Sequence, residues 1–303
     1  MSVQASINID LDTLSDEIDD DARQIRSLPL RAITYERVLP RFLEQLDRHN
    51  LKATFFVIGR DVAAHAALFK SIADAGHELA NHTMTHPKQL VRLSGEALAR
   101  EIRECGCAIK QATGVTPVGF RAPGYTVTRQ VIGALREAGY TYDSSLNSSW
   151  VYLALKRAFK AVRLKDKEFI ICQPFADTVG PRGPYRVSTS LSTPDPAADF
   201  VEIPVSIVPY LHYPFVTSVM LQLGEPFTLW CLRRLIAWNR FVNCNLHINE
   251  FTDQADIADV EGSFYFTEQY ARIPLVRRLK YFDALFSEMK SSCEMVLLRD
   301  VRP

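Results

Sequence analysis

Residues 6–14 read SINIDLDTL and residues 77–86 read HELANHTMTH. Alternate residues of a strand share a face, so if SINID is extended, Asp10 and Asp12 both point past its end into one pocket. His82 and His86, four apart, fall on one side of a helical turn, and Pro87 disfavours helix at His86, so the predicted turn is short. One carboxylate with two imidazoles makes a metal site with positions left open, and the other carboxylate is then free to act as a base. The set points to metal-assisted hydrolysis. Alone, a DxD is more often a solvated strand end or a cap, and an HxxxH more often a pair of surface or core histidines. Their joint occurrence, and the residues placed below, decide the reading.

Working outward, short apolar runs rich in β-branched or aromatic residues predict strands at SINID, ATFFVIG, HELANH, VGFRAP, YTYDSS, FVEIPVS, VNCNLHI and EMVLLRD. Helical periodicity lies between several of them, over Val38–His49, Asp61–Ala75, Ser94–Thr113 and Thr128–Ala138, with Gly76 and Gly139 placed to end helices. Such alternation implies a parallel sheet, and seven or eight units imply an α/β chain closing as a distorted (β/α)7-8 barrel. The acidic run Asp16–Asp21 is predicted to be a solvated excursion after the first strand. There is no internal repeat.

Composition agrees. A chain of 303 residues, 47% hydrophobic, is long enough for one barrel with extensions. Its 35 basic and 35 acidic residues cancel, so nucleic acid has no electrostatic claim on it as a partner. No basic-then-apolar leader and no run of eighteen apolar residues is present, which predicts a cytoplasmic protein, soluble or peripheral at the inner face of the membrane. Cys105, Cys107, Cys172, Cys231, Cys244 and Cys293 fit no zinc or CxxC pattern, so reduced structural thiols are predicted.

The polar residues then fall into place. Asp10, Asp12, His82, His86, Arg121, Asp143 and His247 all sit at or just beyond the C-terminal ends of predicted strands, the face on which barrels build active sites. Arg121, at the end of an apolar strand in FRAPGY, needs a carboxylate if it is buried.

These motifs resemble the polysaccharide deacetylase (NodB-homology) family. IDLD stands at its paired-aspartate motif, NHTMTH at its HxxxH metal motif, RAPGY at its Arg-x-Pro motif and LHI at its final Leu-His motif, in the family's order over residues 7 to about 250. The resemblance implies a divalent metal on Asp12, His82 and His86, Asp10 as catalytic base held by Arg121, and His247 as general acid. Zinc is the default for that ligand set, with manganese, iron, cobalt and nickel as alternatives. The oxyanion donor falls to the backbone N–H of Gly124 or Tyr125. Asp143 is either the counterpart of a fourth motif's acid, with Trp150 its tryptophan, or a cap for the loop after it. Leu11 between the aspartates departs from the commoner adjacent pair.

Residues 150–240 are the least family-like, an insertion within a single domain spanning 1–303. WVYLALKRAFKAVRLKDKEF spaces Lys156, Arg157, Lys160, Arg163, Lys165 and Lys167 helically, as an amphipathic helix on the barrel or a contact with an anionic membrane. YPFVTSVMLQLGEPFTLWCLRRLIAW, broken by charges and Pro226, is predicted to form a lid or a docking surface. Glu250 either faces the pocket or pairs at the surface. The implied function is removal of an N-acetyl or N-formyl group from a nucleotide- or lipid-carrier-linked sugar, a precursor in surface polysaccharide or lipopolysaccharide (O-antigen) synthesis. The alternatives are a non-catalytic carbohydrate-binding descendant of the fold and an amidohydrolase for a cyclic amide.

Overall fold

The structure, a computed structural model, describes residues 2–16, 31–87, 89–162, 178–188, 191–238, 241–258 and 272–303. The acidic run beyond Asp16 and the basic positions Arg163, Lys165 and Lys167 lie outside the described residues.

Eleven strands are described: β1 (Gln4–Asp10), β2 (Ala53–Val57), β3 (Glu78–Asn81), β4 (Gly119–Phe120), β5 (Tyr142–Asp143), β6 (Tyr185–Arg186), β7 (Val201–Glu202), β8 (Ile207–Val208), β9 (Tyr213–Pro214), β10 (Phe241–His247) and β11 (Glu294–Met295). The main sheet runs β10-β1-β2-β3-β4-β5-β7-β6, parallel as far as β7, with β11 on β1 and β6 antiparallel at the edge. Between β7 and β10 the ring is drawn together by side chains. Asn243 donates from its backbone N–H to Ser206 Oγ (2.8 Å) and from Nδ2 to the carbonyls of Pro204 (3.0 Å) and Ile203 (3.3 Å). The fold is a distorted (β/α) barrel.

The eight expected strands all form, and the alternation within β1 shows how they are used. Ala5, Ile7 and Ile9 pack outward in the main core with Phe42, Leu46 and Phe69 from surrounding helices, while Ser6, Asn8 and Asp10 are buried polar residues of the opposite face. The helices match expectation except over Asp61–Ala75, which splits into Gly59–Val62 and Ala66–Asp74. At the break, His65 leaves helical geometry (φ −122°, ψ 29°) and stacks on Tyr35, ring centroids 4.4 Å apart. Gly76 takes φ 86° and Gly139 φ 81°, the left-handed geometry that ends a helix and suits glycine.

The apolar stretch from Tyr213 folds as β9 and two helices, Thr217–Leu223 and Glu225–Trp238, divided at Gly224. No described helix is long and apolar enough to cross a membrane. Among the described residues Cys105, Cys107, Cys231, Cys244 and Cys293 are free thiols, and Cys172 lies outside them.

His77, buried just before β3, accepts a hydrogen bond at Nδ1 from the Ala53 N–H (3.1 Å), which requires the neutral ring. Burial, and then the charge of Lys52, push its pKa down to about 4. A histidine depressed in the folded state contributes stability that is fully present above its unfolded value near 6.5 and is lost as pH falls through 4. His77→Asn keeps an acceptor and removes the titration. In urea denaturation from pH 7 to pH 4, the variant should lose less stability than the wild type; parallel losses would exclude this assignment.

Candidate metal centre and active site

At the end of β1 the chain still pairs with β2 through the Leu11 N–H to Phe56 O (3.1 Å), which carries Asp10 and Asp12 to the rim. His82 follows β3 directly, its N–H on Val57 O (2.9 Å). The expected helical turn from His82 to His86 does not form. The segment is a loop in which Thr83 (φ 68°) and His86 (φ 57°) are left-handed. Asn81 Oδ1 accepts from the Thr83 N–H (2.7 Å) and Thr83 Oγ1 from the His86 N–H (3.1 Å), local turns that compete with helix, and Pro87 forbids helix at His86.

The loop still brings the imidazoles together, ring centroids 5.1 Å apart. His82 Nε2 lies 3.1 Å and His86 Nε2 3.2 Å from Asp12 Oδ1. All three atoms are buried and none makes a geometrically sound hydrogen bond, although they face one another. Two nitrogens and an oxygen that each met one cation at about 2.1 Å would stand roughly 3–3.5 Å apart, so this donor set fits a divalent ion. His82 Nδ1 is 2.7 Å from Arg121 O, which fixes the proton there and leaves Nε2 as a lone-pair donor. Burial alone would raise the pKa of Asp12, but His86 and His82 hold it well below the carboxylate range. His86 moves up, its burial outweighed by Asp12.

Behind this cluster, Arg121 is fully buried and compensated on every side. Nη1 reaches Asp10 Oδ1 at 2.7 Å and also Asn245 Oδ1, while Nε and Nη2 donate to Ser144 O (2.8 Å) and Ser144 Oγ (2.9 Å). The guanidinium lies 4.0 Å over the Phe56 ring. His247 is aligned with Asp10 across the β1–β10 pair, its Nε2 3.8 Å from Asp10 Oδ2. Its Nδ1 is 3.8 Å from Oε1 of fully buried Glu250, which also accepts the His247 N–H (3.2 Å) and, at Oε2, the Thr217 hydroxyl (2.6 Å). Burial opposes the charged imidazolium, but Glu250, Asp10 and Asp12 outweigh it and lift the pKa of His247 to about 9.

A scan of the sequence against family models matches residues 29–142 to polysaccharide deacetylase. Over that stretch the chain is similar to the polysaccharide deacetylase family. It is 37% identical over 94 residues to the peptidoglycan-N-acetylglucosamine deacetylase of Listeria monocytogenes, covering 31% of this chain and 20% of that protein. It is 47% identical over 70 residues to the chitooligosaccharide deacetylase of Rhizobium leguminosarum bv. trifolii, covering 23% and 32%. The matches thus span a fifth to a third of those curated relatives. A solved structure from Mycobacterium smegmatis described as a polysaccharide deacetylase superposes with a TM-score of 0.59 at 21% identity, over 96% of this chain and 84% of that one, and bears out the fold.

The remaining sequence candidates are placed as follows. Gly124 (φ 61°) and Tyr125 (φ 59°) are consecutive left-handed residues, and the Tyr125 N–H is engaged by Ala122 O at 3.1 Å. The Tyr125 ring stands 5.8 Å from the Arg121 guanidinium. Asp143 accepts from the Ser145 hydroxyl (2.6 Å) and N–H (3.2 Å), so it caps the loop after β5, and Ser145 Oγ in turn accepts the Ala122 N–H (2.8 Å). Burial raises the pKa of both Asp143 and its register partner Glu202. Trp150 stands apart, half exposed beside His212.

Sequence reasoning passed over Ser144 and Asn245, which bind Arg121, and Asn243, which joins Asn8 Nδ2 (2.5 Å) to Ser144 Oγ (3.1 Å). The signal was there. Asn243 and Asn245 alternate in VNCNLH as Ser6, Asn8 and Asp10 do in SINID, marking one polar face on each strand.

The purified protein should hold close to one divalent ion per chain, and His82→Ala should lose it while Asp10→Asn keeps it. Elemental analysis after dialysis decides: full metal in His82→Ala removes the site, and loss of metal only in Asp10→Asn exchanges the roles of the two aspartates.

Proposed function

We propose that the chain is a metal-dependent amide hydrolase that removes an acetyl or formyl group from the nitrogen of a sugar, with a precursor of surface polysaccharide as its substrate. The observation that carries this is the meeting, on one barrel rim, of Asp12, His82 and His86 with a second carboxylate, Asp10, that is held by Arg121 and faces His247. The names of the curated relatives support a sugar N-acetyl group. A sugar-binding module would have no use for a separate base and acid.

Asp12, His82 and His86 would hold the ion, zinc by the donor set, which when bound supplies Lewis acidity toward an acyl oxygen. The chain supplies the rest. Arg121 occupies Asp10 Oδ1, so Oδ2 is the atom that takes the proton of the attacking water. With the Tyr125 N–H engaged in its turn, the Gly124 N–H is the backbone donor assigned to the oxyanion. His247, protonated at neutral pH and backed by Glu250, delivers the proton that an amine must gain to leave. Asp143 supports the Arg121 segment through Ser145.

Asp10→Asn keeps shape but cannot take a proton, so turnover of an N-acetylated sugar should fall by roughly 10²–10⁴ with metal content intact. His247→Ala should lower amide hydrolysis by about 10² or more and spare an activated aryl ester, whose leaving group needs no proton. Equal losses on amide and ester, at unchanged metal content, would remove His247 from the acid's role.

A further inference from the structure

The segment between β5 and β10 carries a second polar constellation. Arg182 Nη2 lies 3.1 Å from Nε2 and 3.4 Å from Nδ1 of His212, contacts with both ring nitrogens that lay the guanidinium across the imidazole. The Trp150 indole packs against the same ring at 5.7 Å. Burial and then the charge of Arg182 hold His212 below its ordinary pKa. Among the described residues no carboxylate pairs with Arg182. A partly buried arginine seated on one imidazole leaves the rest of its donor fork free for an anion.

Its place in the fold ties it to the catalytic rim. The Ser149 hydroxyl donates to His212 O, and Ser149 is five residues beyond Ser144, which holds Arg121. Val216, four residues after His212, bridges to Asn245, another Arg121 partner. Four extended residues reach at most about 14 Å, so His212 stands within that reach of Val216, beside β10. The same loop presents Tyr210, 71% exposed and edge-on to Trp238 at 5.1 Å, with Leu211 beside it. Flat apolar surface next to an unpaired cation suits a phosphate that bears either a nucleoside base or an isoprenoid chain.

We propose that Arg182, seated on His212, is an anion-recognising subsite that takes the phosphate of a phosphorylated acylated sugar. The inference rests on the deacylase reading for its substrate and on the arginine's surroundings for its site. The test is kcat/KM of the metal-loaded protein on a neutral N-acetylglucosamine tetramer, UDP-N-acetylglucosamine and a short polyprenyl-pyrophosphate-linked N-acetylglucosamine. The wild type should prefer a phosphorylated substrate by roughly tenfold or more, the better of the two identifying the attached group; in Arg182→Gln that ratio should collapse through KM, and Arg182→Lys should restore part of it. A wild-type ratio near one, or a ratio that Arg182→Gln leaves unchanged, overturns the proposal. If nothing is hydrolysed, calorimetry of UDP-N-acetylglucosamine with the full chain carrying His82→Ala separates the two readings. Binding weakened by adding Arg182→Gln supports the subsite alone, and binding that is absent or insensitive overturns it.

Discussion

The burial of one guanidinium governs this molecule. Arg121 lies wholly inside the barrel, where an unpaired charge is untenable, and removing one partner of a buried pair typically costs about 3–5 kcal/mol. Asp10 must therefore lie against it, Ser144 must turn both its hydroxyl and its carbonyl inward, and Asn245 must complete the fork. The same residue orients His82 through its backbone carbonyl. A single buried cation thus holds the carboxylate of Asp10 on one side and, through its backbone carbonyl, sets the tautomer of His82 on the other.

The interior of the barrel is correspondingly polar. Asn8, Asn243, Ser144 and Arg121 form a connected run of hydrogen bonds that ends at Asn245 and the Tyr125 hydroxyl. Such a network makes the geometry hard to deform, because any shift strands a buried donor. Glu250 does the same for His247 from beneath, with its own carboxylate held by Thr217.

The strands were legible because each is a short apolar run, and the site because its chemistry sits at strand ends. DxD, HxxxH, Arg121 and His247 meet in space as their order along the chain implied. What could not be read was how the loops reach that result. HTMTH has helical spacing, but side-chain turns at Asn81 and Thr83 outcompete the helix, and only tertiary anchoring of His82 on Arg121 makes that loop productive. The β8–β9 hairpin and the helix Leu275–Ser292 escaped notice for a different reason. The strands of the former are two residues each, too short to show a period, and the latter mixes its polar and apolar faces. Trp150 and Arg182 are distant in sequence and share only His212, a contact no linear pattern announces.

The position of β1 has a consequence for how the chain acquires its shape. Gln4 lies between Phe241 on one side and, in the same row, Glu294, while Asp10 is matched with His247. The central strand is thus completed by segments synthesised long after it. During synthesis β1 and β2 can pair early, but the open side of β1 waits for β10, an unpaired edge with a buried acid at its end. High contact order of this kind slows folding and leaves partly assembled states exposed to wrong edge pairing. Asp10 and His247 therefore come together only in a late step of folding.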